Sequence, residues 1–223
     1  MPKKYYAIRK GLKQGIFESW DLCKQFTAGY SGAEYKSFSS LEDAQDYLNM
    51  VGLNEGQTVI NENVKIEKDD VILNAIKALP NVPEDTLRVY VDGSFDIKTF
   101  RYAFGCVIIT PQDDIIIESG IGEHELAKTA RNVAGELMGT MFAVKWAVEK
   151  GYKNIIIYYD YEGIAKWYQK LWKAQSYCAV EYINFMDNFR SFIQIKFEKV
   201  EAHTGVPLNE LADKMAKAAL GLK

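Results

Sequence analysis

The stretch NIIIYYD, residues 154–160, is apolar at five successive positions and ends on a bare carboxylate, Asp160. A strand that is apolar on both faces must be covered on both, which calls for a sheet with helices packed against it. In open sheets of that kind, sites form outside the carboxyl ends of parallel strands, the place where Asp160 stands. A second stretch, LRVYVDGSF at 87–95, alternates Leu87, Val89 and Val91 with Arg88, Tyr90 and Asp92, the period of a half-buried strand. It too arrives at an aspartate, followed by Gly93. Taken alone, Asp-Gly is a common turn pair, so a turn is the plainer expectation there. If the two strands are parallel neighbours, however, Asp92 and Asp160 lie close together.

The elements around them order themselves readily. RYAFGCVIIT and DDIIIESG, joined by TPQD with Pro111 at the second turn position, continue the 87–92 strand as an antiparallel meander. Val133, Leu137, Met141, Val144 and Val148 mark a long helix by their 3.6 period, and helical stretches follow at roughly 162–172 and 179–190. IQIKFEKV alternates as a strand and LNELADKMAKAAL closes the chain as a helix. The order β-β-β-α-β-α-α-β-α predicts an α/β domain, a mixed sheet with helices on its faces.

Two more acids stand at the margin of the core. Glu136 borders the apolar stripe of its helix, and Asp213 borders the stripe formed by Leu211, Ala212 and Met215. Surface acids prefer the opposite face. Four carboxylates gathered without cations would repel one another and raise one another's pKa. A hard divalent cation such as Mg²⁺ resolves the conflict, since it takes oxygen ligands and joins carboxylates to substrate phosphates. Two such ions suit an in-line phosphodiester displacement. For each acid singly, a cap, a turn or a surface charge is the plainer explanation; the coincidence of four is the signal.

The front of the chain differs in charge. Residues 1–40 hold seven Lys/Arg against three Asp/Glu, residues 51–85 hold three against seven, and from 86 onward the two are balanced at seventeen each. A basic front suits a polyanion-binding module. Residues 1–50 read as a small α+β domain: the strand YYAIR, a helix SWDLCKQF behind Ser19, and a helix SSLEDAQDYL with a capping-box pattern from Ser39 to Glu42. Residues 51–85 read as an acidic linker with one helical segment near DDVILNAIKAL, ending at the proline-flanked PNVPED. Residues 86–223 form the second domain. Cys23, Cys106 and Cys178 are scattered and odd in number, which predicts free thiols in a reducing cytoplasm rather than a disulfide framework or a zinc site. No apolar run is long enough for a membrane span, and the opening MPKKYYAIRKG lacks the pattern of a signal peptide.

The motifs YVDGSF, NVAGELMG, YYDYEGIAKW and AHTGVPLNELADKMA resemble, in order and spacing, those of type one ribonuclease H. The front segment from Tyr5 to Leu48 resembles the hybrid-binding, or viroplasmin-like, domain joined to many of these enzymes. The resemblance implies a ribonuclease H-like five-stranded mixed sheet flanked by helices. It further implies that Asp92, Glu136, Asp160 and Asp213 bind two Mg²⁺ ions, with Mn²⁺ a conceivable substitute, and that the reaction is hydrolysis of the RNA strand of an RNA–DNA hybrid. Asn132 matches a position that contacts the RNA, at its 2′-hydroxyl, and His203 matches a mobile-loop histidine that aids turnover. In the front domain the resemblance implies nucleotide contacts by Tyr6, Trp20 and Lys36, with double-stranded RNA as a second ligand; no obligate protein partner is expected.

Departures from the family pattern sharpen these expectations. Val133 stands where a polar, substrate-contacting residue is common, Glu201 replaces a basic residue, and Ser37 replaces a second basic residue of the front domain. The stretch KLWKAQSYCAVEYINFMD lacks a lysine-rich extra helix. Trp167 and Trp172 are expected to be packing residues on a helix, and His124, which matches no motif, to be exposed. The alternative from another class is a non-catalytic RNA–DNA or double-stranded RNA binding protein on an inert ribonuclease H-like scaffold. Transposases and junction resolvases share the sheet and acids, but the DGS and ELAD motifs fit them less well.

Overall fold

In the computed structural model the chain is described over residues 4–10, 15–28, 33–45, 47, 69–201 and 205–222. It divides into two compact units, Met1–Glu55 and Gly56–Lys223. The first unit is a three-stranded antiparallel sheet in the order β2-β1-β3, built from β1 (Tyr5–Lys10), β2 (Gly15–Phe17) and β3 (Glu34–Phe38). Helix α1 (Trp20–Thr27) packs on it, and residues 41–45 are helical. Among its described residues, Ala7, Ile8, Cys23 and Ala44 are the fully buried apolar ones. Ser19 precedes α1 but makes no capping hydrogen bond. The expected box from Ser39 to Glu42 forms one residue later, where Ser40 Oγ accepts from Asp43 N at 3.0 Å and donates to Asp43 Oδ2 at 2.7 Å. The tandem Ser39-Ser40 and Glu42-Asp43 offer the motif in two registers, and the later one is used.

Among the described residues, the second unit begins with α2 (Asp70–Lys77) and continues through β4 (Thr86–Asp96), β5 (Arg101–Ile109) and β6 (Ile115–Gly122). A short helix α3 (Glu125–Lys128) leads into the long α4 (Asn132–Glu149). Then come β7 (Asn154–Tyr159), α5 (Gly163–Tyr168), α6 (Tyr177–Phe189), β8 (Gln194–Lys199) and α7 (Pro207–Ala219). The sheet is mixed and five-stranded, in the order β6-β5-β4-β7-β8. β4 pairs antiparallel with β5 and parallel with β7, so the two aspartate-bearing strands are parallel neighbours as expected. Tyr90 and Tyr158, directly opposite in register, stack at 4.3 Å.

Asp92-Gly93 is not a turn. β4 runs straight through it to Asp96, and the chain reverses at 97–100, where Asp96 accepts from Lys98 N at 2.9 Å and Thr99 Oγ1 at 2.6 Å. Gly93 is there for close approach. A Cβ at Gly93 would lie 2.2 Å from the carbonyl oxygen of Asn132, and one at Gly135 would lie 2.1 Å from that of Ala103. α4 therefore rests on the sheet almost backbone to backbone, through Ala134, Gly135, Gly139, Ala143 and Ala147. Val133, Met141 and Val148 flank this face rather than centring it. Glu136, expected at the border of the stripe, is carried into the buried face.

Of the expected linker 51–85, residues 51–68 lie outside the described residues, and the remainder holds a docked helix. Asp69 caps α2 by accepting from Val71 N at 3.0 Å, and Ile72 and Ile76 bury themselves against Tyr90, Val107, Ile109, Leu208 and Ala212. The i, i+4 spacing of the two isoleucines makes an apolar stripe that the acidic average conceals. Beyond α2, the fully buried Arg88 donates to Pro80 O at 3.0 Å, Thr110 O at 3.2 Å and Asp113 Oδ1 at 2.6 Å, clamping the approach to β4. Among the described residues, no helix is long and apolar enough to cross a membrane, and all three cysteines are free and buried.

Candidate active site

Three of the four expected acids meet at the carboxyl end of β7. Asp92, Glu136 and Asp160 each place a carboxylate oxygen so that the three lie within 4.8 Å of one another. Asp92 comes from the middle of β4, Glu136 from the second turn of α4, and Asp160 from the residue after β7. The parallel register that pairs Tyr90 with Tyr158 brings 92 and 160 level, and the glycine contact lowers α4 until Glu136 joins them.

Asp92 and Glu136 are almost fully buried, at 7% and 3% exposure. Burial, then repulsion from Asp160, pushes the Asp92 carboxyl up to about 7, against a hydrogen bond from Gly93 N. Burial, then repulsion from Asp160 and Asp92, pushes Glu136 up to about 9. Asp92 Oδ1 accepts from Gly93 N at 2.7 Å and its Oδ2 from Asn209 Nδ2 at 3.3 Å. Glu136 Oε1 accepts from Asn132 Nδ2 at 3.4 Å, while Glu136 Oε2 is buried without a partner. A buried carboxylate oxygen left unpaired is costly unless a cation meets it. The donors are all hard oxygens, the set that Mg²⁺ or Mn²⁺ prefers over soft-ligand metals. The residues present fit such an ion.

Asp213 stands beside this trio rather than within it. Its charge reaches Asp92 and raises that pKa, but its Oδ2 is held by Lys217 Nζ at 2.6 Å, one turn along α7. Asn132 lies at the exposed start of α4, against Glu136. His203 falls outside the described residues. Asn209 was missed by sequence reasoning. Its signal is the spacing in NELAD, four residues before Asp213 and so on the same helical face; the side chain is buried, with Oδ1 unpartnered.

In the first unit, Trp20 is 43% exposed and is flanked by Tyr6 at 5.6 Å and Tyr35 at 5.7 Å. Trp20 is thus no core residue. Tyr35, itself exposed, was not anticipated; its neighbour Lys36 was. Lys36 pairs with Ala7, and strand alternation sends it to the face opposite Tyr35, with its ammonium 5.5 Å from the Phe38 ring centre.

Two further expectations are corrected. His124 is packed: its ring stacks on Tyr177 at 4.6 Å, Tyr177 Oη lies 3.2 Å from Nε2, and Nδ1 is buried. The short α3, unseen in the sequence pattern, packs near the start of α6 and brings the two rings together. Trp172 does not share a helix with Trp167, because α5 ends at Tyr168; the rings meet edge to face at 6.0 Å, and Trp172 stays 39% exposed.

Fold and site together define an α/β domain whose parallel strand ends present buried carboxylates suited to hard divalent cations. The chain belongs to the ribonuclease H family: residues 84–221 match the model described as RNase H, and residues 4–48 match the one described as ribonuclease H1 N-terminal domain. The expectation of a type one enzyme architecture with this companion domain is borne out. Among similar proteins is a ribonuclease H of Saccharomyces cerevisiae, 48% identical over 44 residues, covering 20% of this chain and 13% of the relative. Another from Crithidia fasciculata is 42% identical over 48 residues, 22% of this chain and 10% of the relative. The matches thus span about a tenth of these relatives' length. RNase H1 from Halobacterium salinarum NRC-1 shares the fold at a TM-score of 0.51 and 20% identity, over 61% of this chain and 98% of that one.

Proposed function

We propose that this protein is an endoribonuclease that hydrolyses the RNA strand of RNA–DNA hybrids, using two divalent cations held by Asp92, Glu136, Asp160 and Asp213. The observation that carries the reading is the convergence of three carboxylates within 4.8 Å, two of them buried and one with an unpaired oxygen. Such ions, when bound, activate a water and stabilise the leaving oxygen of an in-line displacement at phosphorus. Asp92 and Glu136 are fixed in place beforehand, by Gly93 N and Asn209 on one and Asn132 on the other. With its Nδ2 turned to Glu136, Asn132 keeps Oδ1 to accept from a 2′-hydroxyl, the group that distinguishes RNA from DNA. His203 is assigned to turnover. Tyr6, Trp20 and Lys36 are assigned to the hybrid's backbone and sugars, with double-stranded RNA as a weaker ligand; aromatic faces and cations suit sequence-indifferent binding. Three free thiols suit a reducing compartment, and we place the protein in the cytoplasm.

A single assay tests the reading: labelled RNA–DNA hybrid, double-stranded RNA and double-stranded DNA, each with and without Mg²⁺. Cleavage confined to the RNA of the hybrid, and dependent on the cation, is expected. Tight hybrid binding with no cleavage under Mg²⁺ or Mn²⁺ would return the inert-scaffold alternative.

A further inference from the structure

We propose that α2, the helix ahead of the nuclease fold, is a positioning element of the acidic site, acting through α7. The proposal rests on the hydrolase reading above, because it concerns how that site is held. α7 carries both Asn209, which donates to Asp92, and Asp213, and so its seating sets two side chains at the acidic cluster. On the sheet side, α7 lies so close that a Cβ at Gly105 would sit 2.0 Å from Ala212 O. On its other flank, Ile72 and Ile76 of α2 share one buried cluster with Leu208 and Ala212.

The first turn of α7 needs that support. Its N-cap position is Val206, with Pro207 following, and among the described residues no side chain caps the helix. Orphan amides at an uncapped end let the first turn fray. Leu208, 1% exposed, anchors that turn, and its apolar surroundings include α2. Asn209 is the next residue. α2 is capped at its start by Asp69, and the chain beyond its finish is anchored by the Arg88 clamp on Pro80. A helix docked through its isoleucines and anchored beyond its end is placed to brace α7. Removing its isoleucines would leave a void beneath Leu208 and let Asn209 and Asp213 drift, and displacements on the order of 1 Å cost up to about 100-fold in rate.

The test uses the full chain with Ile72→Ala, Ile76→Ala and the pair, with Ile76→Val as the conservative partner. Val71→Ala, on the exposed side of the same helix, is the control. Three quantities are read below the melting temperature: kcat and KM for hybrid cleavage, the Mg²⁺ midpoint, and amide hydrogen exchange in the metal-free protein. The paired variant should lose about tenfold in kcat with KM within about twofold. Its Mg²⁺ midpoint should rise, and exchange should speed up over residues 207–213 while residues 136–144 of α4 keep their protection. Ile76→Val should recover most of the loss, and Val71→Ala should match the parent. A kcat equal to the parent's in a folded paired variant would overturn the proposal, as would exchange that rises equally in α4 and α7. If the paired variant does not fold, the single substitutions carry the same readouts. A parent that cleaves no hybrid would defeat the hydrolase reading instead, and the exchange pattern would still decide whether α2 holds α7.

Discussion

The two units of this chain spend their polar and aromatic residues in opposite ways. In the first, Trp20 and Tyr35 stand more than 40% exposed, and the fully buried apolar side chains among the described residues are Ala7, Ile8, Cys23 and Ala44. In the second, Asp92 and Glu136 are buried almost completely, and their carboxyls are driven up to about 7 and 9. Exposed rings keep their hydrophobic gain in reserve until a ligand covers them. Buried acids store an electrostatic penalty until a cation relieves it. A small domain suits the first strategy, because it cannot spare stability to bury charge. A large sheet flanked by helices can carry the second. On the proposed function, binding and chemistry fall to different physics in different units, and each assignment can be broken separately.

The largest effect is expected at the acids. Asp160→Asn keeps the shape and removes a charge that a hard cation needs, so hybrid cleavage should fall by orders of magnitude. Because Asp160 repels both buried acids, the metal-free variant should melt at the same temperature as the parent or slightly higher. Steady-state cleavage and calorimetry check the two halves. Near-parental activity would remove Asp160 from the ligand set, and a large loss of metal-free stability would make its role structural. Gly93→Ala comes next. Its Cβ would meet the Asn132 carbonyl at 2.2 Å and Glu136 N at 2.5 Å, both backbone atoms, so α4 has to lift. Stability should drop by about 3 kcal/mol, near the upper end for overpacking, and the Mg²⁺ requirement should rise as Glu136 leaves the trio. Denaturant unfolding with a Mg²⁺ titration measures both, and a variant as stable as the parent would show that the close approach is not needed.

That glycine also marks how far the sequence could be read. NIIIYYD and LRVYVD announced strands through their side-chain patterns, and their parallel pairing followed from the order of elements. The reason for Gly93 was not legible locally, because it lies in a helix forty residues away. A dipeptide common in turns was kept extended by a tertiary contact. The docking of α2 escaped for a related reason: a helix was expected near DDVILNAIKAL, but averaging over an acidic stretch hid two isoleucines that only make sense against Leu208 and Ala212. Asp160 and Glu136 were found by pattern. Asn209 was not, since an asparagine in a polar helix looks like surface until its partner is known. Lys36 was identified by motif position, yet its orientation away from Tyr35 depends on strand register, which a motif does not state.

A smaller effect follows from the raised carboxyls. A group whose folded-state pKa exceeds its unfolded value favours the fold below the unfolded pKa and loses that contribution as pH rises through the folded one. For Asp92 and Glu136 the unfolded values are about 4, and the folded ones are about 7 and about 9. Their share of metal-free stability should therefore decline between about pH 4 and pH 9. Other groups titrate across that range too, so the diagnostic is a difference. Thermal melts in EDTA and in saturating Mg²⁺ should diverge as pH rises, by several degrees at pH 9. Parallel curves would mean that the acids are not relieved by the cation.

The smallest effect on chemistry is expected in the first unit. Trp20→Ala removes the middle ring of the Tyr6–Trp20–Tyr35 row without opening a core, because Trp20 is already 43% exposed. Cleavage at saturating hybrid should be unchanged, since every acid of the trio belongs to the second unit. Affinity for the hybrid, measured in Ca²⁺ so that cleavage is suppressed, should weaken by about 1–3 kcal/mol, the worth of one aromatic–nucleotide contact. Lys36→Ala should cost less and act differently. A lysine on the face opposite Tyr35 can add a phosphate contact without sharing the aromatic site, so its loss should flatten the salt dependence of binding by about one counterion. Trp20→Ala should leave that slope alone. A tryptophan variant that flattens the salt slope, or one that binds as tightly as the parent, would break the division between a ring-and-cation surface and an acid site on which the comparison of the two units stands.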